Sequence, residues 1–332
     1  MMNDAVPQPE SKIQPIRVIE QHDHHRREAK AGGVDDLVEF RAFYTRDVLL
    51  FGAVAGPTDG TPVILLHGFP DFWLGWARQI RPLVEAGYRV IIPDQRGYNR
   101  SEKPPNIEDY HLPELGGDII DLIDIADLQR PHLVGHDWGG GVSWWLAEHH
   151  PQSFETVTVL NCPHPDILGR ALMLDNPRQM LRSWYIALFQ MPAVPEFLAR
   201  VGDCRLLELA LLSATDDAFN DRELAMYRDA WNQDRAISSM LHWYRAAGRA
   251  TFSSSDQQRR SSGSGPRIEV PLQIIWGEQD KALDRSLVEP SAALAANSDI
   301  TWMPQATHWV QRDSPQQVNR RLLEIFRSAD TA

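Results

Sequence analysis

The sequence predicts an α/β fold: a mostly parallel, eight-stranded sheet flanked by helices, with a helical lid inserted into it. Three observations carry this. Short runs that are apolar throughout alternate with amphipathic segments, as in a parallel sheet covered on both faces. The alternation breaks from about residue 166 to 250, where the pattern is helical and rich in aromatics, and then resumes. Residues able to do chemistry fall just after the apolar runs, where an open parallel sheet gathers its functional groups.

In chain order, residues 37–44 and 48–55 read as an antiparallel pair turning through Thr45-Arg46-Asp47. Strands follow at 63–66, 88–92, 131–134 and 157–160, with helices at 76–86, 115–128 and 141–150 between and after them. These make residues 34–165 the first part of the core and 166–255 the lid. An excursion of that size inside a compact domain is expected to cover a substrate. Residues 251–265 form a polar Ser/Gly loop. The second part of the core, 256–332, holds strands at 272–276 and 300–303 and helices at 284–296 and 315–328.

A chain of 332 residues with 43% hydrophobic content suits one large domain carrying an insertion. Its net charge of -12 and the lack of a sustained basic cluster argue against nucleic acid as a partner. The two cysteines, Cys162 and Cys204, form no CxxC and have no ligand spacing, so neither a disulfide framework nor a zinc site is expected. With no apolar leader and no membrane-length run, the chain reads as cytoplasmic. Residues 1–33 are polar and read as a disordered tail; His22, His24 and His25 fall within it, and no metal site is assigned to them.

The segment Gly135-His136-Asp137-Trp138-Gly139-Gly140 lies between an apolar strand and a helix. Alone it is compatible with an ordinary turn, but in that setting it fits the G-x-nucleophile-x-G elbow, which lifts its central side chain above the sheet edge. A carboxylate at the centre narrows the chemistry. A serine attacking an sp3 carbon would leave an ether, whereas Asp137 would leave an ester whose carbonyl water can attack. Asp137 therefore points to alkyl transfer from an epoxide or a carbon-halogen bond.

Two more groups belong with it. His67-Gly68-Phe69-Pro70 ends an earlier strand, and the backbone N–H groups of Phe69 and Trp138 are placed to form an oxyanion hole, each donor typically worth ~3 kcal/mol. Asp280 follows the strand at 272–276 and His308 the strand at 300–303, giving the order nucleophile, acid, histidine. His308 is expected to activate water and Asp280 to orient it, with Glu278 and Asp284 as rival acids.

In order and spacing, HGFP at 67–70, DQRGYNRS at 94–101, GHDWGG at 135–140, GEQD at 277–280 and ATHW at 306–309 resemble the α/β-hydrolase superfamily, specifically its epoxide hydrolase branch. The resemblance covers about residues 35–330 and departs at Asn99, where many members have glycine. It implies two lid tyrosines that hold the epoxide oxygen, and the matching settings contain Tyr185 and Tyr244. Phe69, Trp138 and Trp184 are expected to wall an apolar pocket for a small hydrophobic epoxide, with water as co-substrate and no metal or organic cofactor. Lids with exposed aromatics often pair, which leaves room for a homodimer. Two other functions stay open. A dehalogenase would share Asp137, Asp280 and His308, and Trp138 could donate its indole N–H to a halide. Haloalkane dehalogenases, however, generally carry Asn at the place of Phe69, and fluoroacetate dehalogenases Arg at that of Trp138. The other is a non-catalytic binding homologue; it gives no chemical reason for all three residues to be present.

Overall fold

The computed structural model describes residues 17–18, 23–215, 217–251 and 267–331. One sheet runs through it in the order β1-β2-β3-β5-β4-β6-β7-β8-β9. Its strands are β1 (Arg17–Val18), β2 (Val38–Tyr44), β3 (Leu49–Ala55), β4 (Pro62–Leu66), β5 (Arg89–Pro93), β6 (His132–His136), β7 (Val157–Leu160), β8 (Leu272–Gly277) and β9 (Ser298–Met303). From β5 to β9 neighbouring strands are parallel, and β1, β2 and β3 extend the sheet antiparallel from β5. The eight expected strands are all present. Their continuous apolar runs are explained by burial on both faces: Val63, Ile64, Leu65 and Leu66 are wholly buried.

Helices α2 (Ala77–Glu85), α3 (Leu112–Ile125), α4 (Trp138–His149), α11 (Val288–Ala292), α12 (Val310–Asp313) and α13 (Pro315–Asp330) flank the sheet. Helix α3 starts and stops three residues earlier than its apolar pattern suggests. Pro113 is well suited to a first turn, and Asp127 at φ 50 lies just past the end. Helix α4 starts at Trp138 instead of after the glycines, because the helix opens directly off the elbow.

The ninth strand, β1, and a helix α1 (Asp23–Ala31) correct the expectation that residues 1–33 are a disordered tail. Strand β1 pairs with β2, Arg17 opposite Ala42. Helix α1 packs on the core through a face that does not look apolar in sequence. The His25 ring stacks on Phe40 at 4.5 Å, Ala29 is buried, and Glu28 is fully buried with one oxygen accepting the Trp73 indole N–H at 2.8 Å. Residues 1–16 and 19–22, and the polar loop at 251–265 apart from its first residue, lie outside the described residues.

Between β7 and β8 the chain leaves the sheet and builds the cap from α5 (Pro165–Arg170), α6 (Pro177–Arg182), α7 (Trp184–Phe189), α8 (Val194–Leu211), α9 (Asp221–Trp231) and α10 (Ala236–Thr251). Among the described residues, the large apolar side chains that stay exposed all lie on cap residues 173–212, Leu181, Phe197 and Trp184 most of all. No helix of the described residues is long and apolar enough to cross a membrane.

Polar anchors hold the cap to the core. The Trp231 indole N–H donates to Pro70 O at 2.7 Å, and the Tyr227 hydroxyl donates to Asp71 Oδ1 at 2.6 Å. Arg312, wholly buried on α12, donates to Ala218 O at 2.7 and 3.0 Å and pairs with Glu223 at 2.5 Å. Replacing Arg312 by Met would leave the buried Glu223 carboxylate without its counter-charge. Urea unfolding of Arg312→Met is expected to register a loss of about 3–5 kcal/mol. A loss below about 1 kcal/mol, the size of an exposed pair, would mean that the tether contributes little.

Candidate active site

Asp137 sits where β6 turns into α4, at φ 50 and ψ -119, a conformation that non-glycine residues rarely hold. Close neighbours enforce the turn. A Cβ on Gly139 would lie 2.3 Å from Leu66 O, and one on Gly68 would lie 2.4 Å from Asp137 Cβ, so both backbones approach as only glycine allows. That proximity brings the Phe69 N–H to Asp137 Oδ1 at 2.7 Å. Of the two N–H groups expected at an oxyanion hole, this one points at the carboxylate. The Trp138 N–H is at the first position of α4 and makes no hydrogen bond to it.

The other carboxylate oxygen, Oδ2, lies 3.5 Å from His308 Nε2. On the far side of the ring, Nδ1–H donates to Asp280 Oδ2 at 2.8 Å. The rival acids are engaged elsewhere: Asp284 accepts from Ser286 N and Glu278 pairs with Arg285. Side-chain exposure falls from 17% at Asp137 to 11% at His308 and 1% at Asp280, so the first two open toward a substrate and the third is sealed behind them. Among the described residues no group of three or more His, Cys, Asp or Glu is placed to hold a metal ion.

The charges in this row sustain one another. Burial disfavours the imidazolium of His308, but Asp280 and then Asp137 outweigh it and raise the pKa from 6.5 to about 10. Burial likewise opposes ionisation of Asp137 and Asp280, and His308 more than offsets it, so both carboxyls titrate below 3.8. The resting arrangement is an imidazolium between two carboxylates.

The cap places two tyrosines over this row. Tyr244 on α10 is buried, its ring edge-on to Phe69 at 5.2 Å and to Trp138 at 5.0 Å. Tyr185 on α7 stands 6.1 Å from Tyr244, ring centre to ring centre. Burial first, then the charge of Asp137, raises both phenols above their ordinary value, so each keeps its proton at neutral pH. Phe189, one turn beyond Tyr185 on α7, packs against Phe69 at 5.6 Å and Tyr244 at 5.0 Å. Trp184 does not wall the site. It is 65% exposed, because its position beside Tyr185 turns it about 100° around the same helix, away from the core.

Several residues support the site without a role assigned to them from sequence. Asn161, at the end of β7 with φ 42, donates to Asp280 Oδ2 at 2.8 Å, and its Oδ1 accepts from Gly277 N at 2.8 Å. His136, buried and with its pKa lowered to about 3 chiefly by burial, is in contact through Nε2 with His308 O at 2.8 Å. Neutral His67 accepts the Gln95 N–H at 3.0 Å and closes the floor below Phe69. His67, Gln95 and His136 stand inside the motifs quoted above, and for Asn161 the position at a strand end is the one clue.

A family model for the alpha/beta hydrolase fold matches residues 61–315. The chain belongs to the α/β-hydrolase family. This hydrolase is 39% identical over 295 residues to the AB hydrolase superfamily protein YfhM of Bacillus subtilis (strain 168), covering 88% of this chain and 99% of that one. It is 31% identical to Epoxide hydrolase 2 of Caenorhabditis elegans, covering 83% of this chain and 76% of that protein. Among solved structures, it superposes on a point mutant of an epoxide hydrolase from Bacillus megaterium with a TM-score of 0.77 at 28% identity, covering 86% of this chain and 99% of that one. That structure holds the product of its enzyme, a naphthyloxy-propane-1,2-diol. The last two of these are named as epoxide hydrolases, the branch that the motifs resemble.

The charge row has a pH signature. His308 is raised from 6.5 to about 10, so its contribution to stability is whole below pH 6.5 and is lost as pH climbs toward 10. Asp137 and Asp280 are lowered from 3.8, so theirs is present above pH 3.8 and is lost on acidification below it. The melting-temperature gap between wild type and His308→Gln is expected to be widest between pH 3.8 and 6.5 and to narrow toward pH 10. A gap that widens above pH 6.5 would contradict the ion row.

Proposed function

We propose that this protein is an epoxide hydrolase that converts a small hydrophobic epoxide and water into a vicinal diol through an ester on Asp137. The observation that carries the reading is the pair of protonated tyrosines, Tyr185 and Tyr244, held by the cap over the Asp137 carboxylate. A halide departs without a proton. An opened epoxide remains as an alkoxide on the same molecule and needs an acid beside it.

Asp137 attacks one ring carbon, breaking its C–O bond, and a tyrosine hydroxyl gives its proton to the alkoxide oxygen. Esterification removes one of the two negative charges that hold the proton on His308. The imidazolium can then return a proton to the tyrosinate, by way of the product hydroxyl or water, and become a base. Neutral His308 takes a proton from water while the hydroxide adds to the ester carbonyl. The charge that develops on the carbonyl oxygen falls where the Phe69 N–H already points. Collapse expels the second alkoxide, which takes the proton of the new carboxyl group, restoring Asp137 as carboxylate and His308 as imidazolium. Epoxide plus water equals diol, and no cofactor enters the balance.

Asp280 orients His308 throughout, and its burial and Asn161 hold it in place. Phe69, Trp138, Phe189 and the tyrosine rings offer an apolar, aromatic surround, which favours a hydrophobic epoxide over a charged one. The dehalogenase reading is weakened because a departing halide would give the two buried phenols beside Asp137 nothing to protonate. The relatives named as epoxide hydrolases support the same choice.

Diol formation from styrene oxide, measured beside halide release from bromoalkanes, tests the assignment. Diol without halide release is expected, and halide release without diol would sink it. Tyr185→Phe and Tyr244→Phe should each slow ring opening by roughly 10²–10⁴-fold. His308→Gln should accumulate an ester on Asp137, visible by mass spectrometry as the mass of the added epoxide; absence of that adduct with active wild-type protein would argue against covalent catalysis.

A further inference from the structure

The segment at 94–101 that follows β5 supplies no group to the reaction, yet its Asn99 is unusually employed. It stands at φ 37, where glycine would rest without strain, and it is only 3% exposed. Its side chain is fully used. Nδ2 donates to Asp94 Oδ2 at 2.8 Å and to Glu28 Oε1 at 3.3 Å, while Oδ1 accepts from Gln233 Nε2 at 2.8 Å. Those partners come from three separate parts of the fold: Glu28 from α1, Asp94 from the end of β5 and Gln233 from the turn that opens α10.

A second bridge locks the same cluster. Trp73 donates its backbone N–H to Asp94 Oδ1 at 2.9 Å and its indole N–H to Glu28 Oε2 at 2.8 Å. Burial, and after it the charge of Glu28, raises Asp94 to about 8, so the Asp94 carboxyl keeps its proton at neutral pH and is not driven from its neighbour. The loop also carries the middle of α10, because the Trp243 indole N–H donates to Arg96 O at 3.1 Å. Tyr244 is the next residue along that helix. The helix bearing Tyr244 therefore stands on the 94–101 loop at two points, one of which depends on a side chain that glycine would lack.

We infer that Asn99, clamped by Glu28 of the N-terminal helix, is a positioning residue that fixes the start of α10 and so holds the Tyr244 hydroxyl over Asp137. The inference rests on the role proposed above for Tyr244. It makes α1 part of the machinery that sets cap geometry, linked to the reacting atoms through Asn99, Gln233 and one helix.

Asn99→Gly tests it cleanly, since glycine accepts the backbone conformation and only the side-chain bridge is removed. In single-turnover experiments with styrene oxide, Asn99→Gly is expected to slow ester formation roughly tenfold while ester hydrolysis keeps its rate. Gln233→Ala cuts the same link from the cap side and should do the same. In a Tyr244→Phe background, Asn99→Gly should have little further effect, because its benefit passes through the missing hydroxyl. Full multiplication of the two effects, or equal slowing of both chemical steps, would overturn the inference and leave Asn99 a packing residue. Hydrogen exchange in α10 (Ala236–Thr251) provides an arm independent of the reaction: faster exchange in Asn99→Gly supports the link and unchanged exchange refutes it, even if the wild-type protein forms no diol and the functional reading falls.

Discussion

A single imidazole ring shared by two carboxylates in a mostly enclosed site is the interaction on which this architecture depends. Isolated charges would be expelled from such a place or neutralised, and here burial pushes against every one of the three. They persist because each is the others' solvent. The backbone is arranged to make that possible: a left-handed turn aims Asp137, glycines let the Phe69 amide approach it, and the Asn161 amide replaces water at Asp280. In the reaction proposed above, covalent attack would disturb this balance by removing one charge, so the same electrostatics that stabilise the resting protein would release the base when it is needed.

The cap serves a complementary purpose. Its tyrosines lie within an aromatic cluster with Phe69, Trp138 and Phe189, where burial keeps the phenols protonated and their rings fixed. The anchors that seat it, at Asp71, Pro70 and Arg96 on loops and at Arg312 on α12, are polar contacts placed at the same sheet edge as the nucleophile. Their directionality sets an orientation that apolar packing alone would leave loose.

Much of this was legible in the residues. Strands buried on both faces write themselves as unbroken apolar runs, and Asp137, Asp280 and His308 could be placed because each directly follows such a run. Helix α1 was not legible. Its inward face is made of His25, Glu28 and Ala29, and a polar residue that is satisfied inside a fold looks the same in sequence as one left in water. Trp184 misled for a different reason: α7 has six residues, too few for periodicity to fix which of two adjacent aromatics turns inward. Asn161 carries no signal in the sequence, since its partners Asp280 and Gly277 are more than a hundred positions away.

The point at which the cap departs has a bearing on how such a protein can change over generations. It leaves after β7 and returns before β8, and those strands are hydrogen-bonded neighbours in register, Val157 beside Leu272. The sheet thus fixes both ends of the excursion, one at the carboxyl end of β7 and the other at the amino end of β8, and lengthening or rebuilding what lies between them costs little chain entropy. The helices above can drift in length and composition while Asp137, Asp280 and His308 below stay untouched. Under the proposed reaction, what would restrain that drift is the need to return two phenols to one spot, so inheritance would be permissive along most of the insertion and strict around α7 and α10.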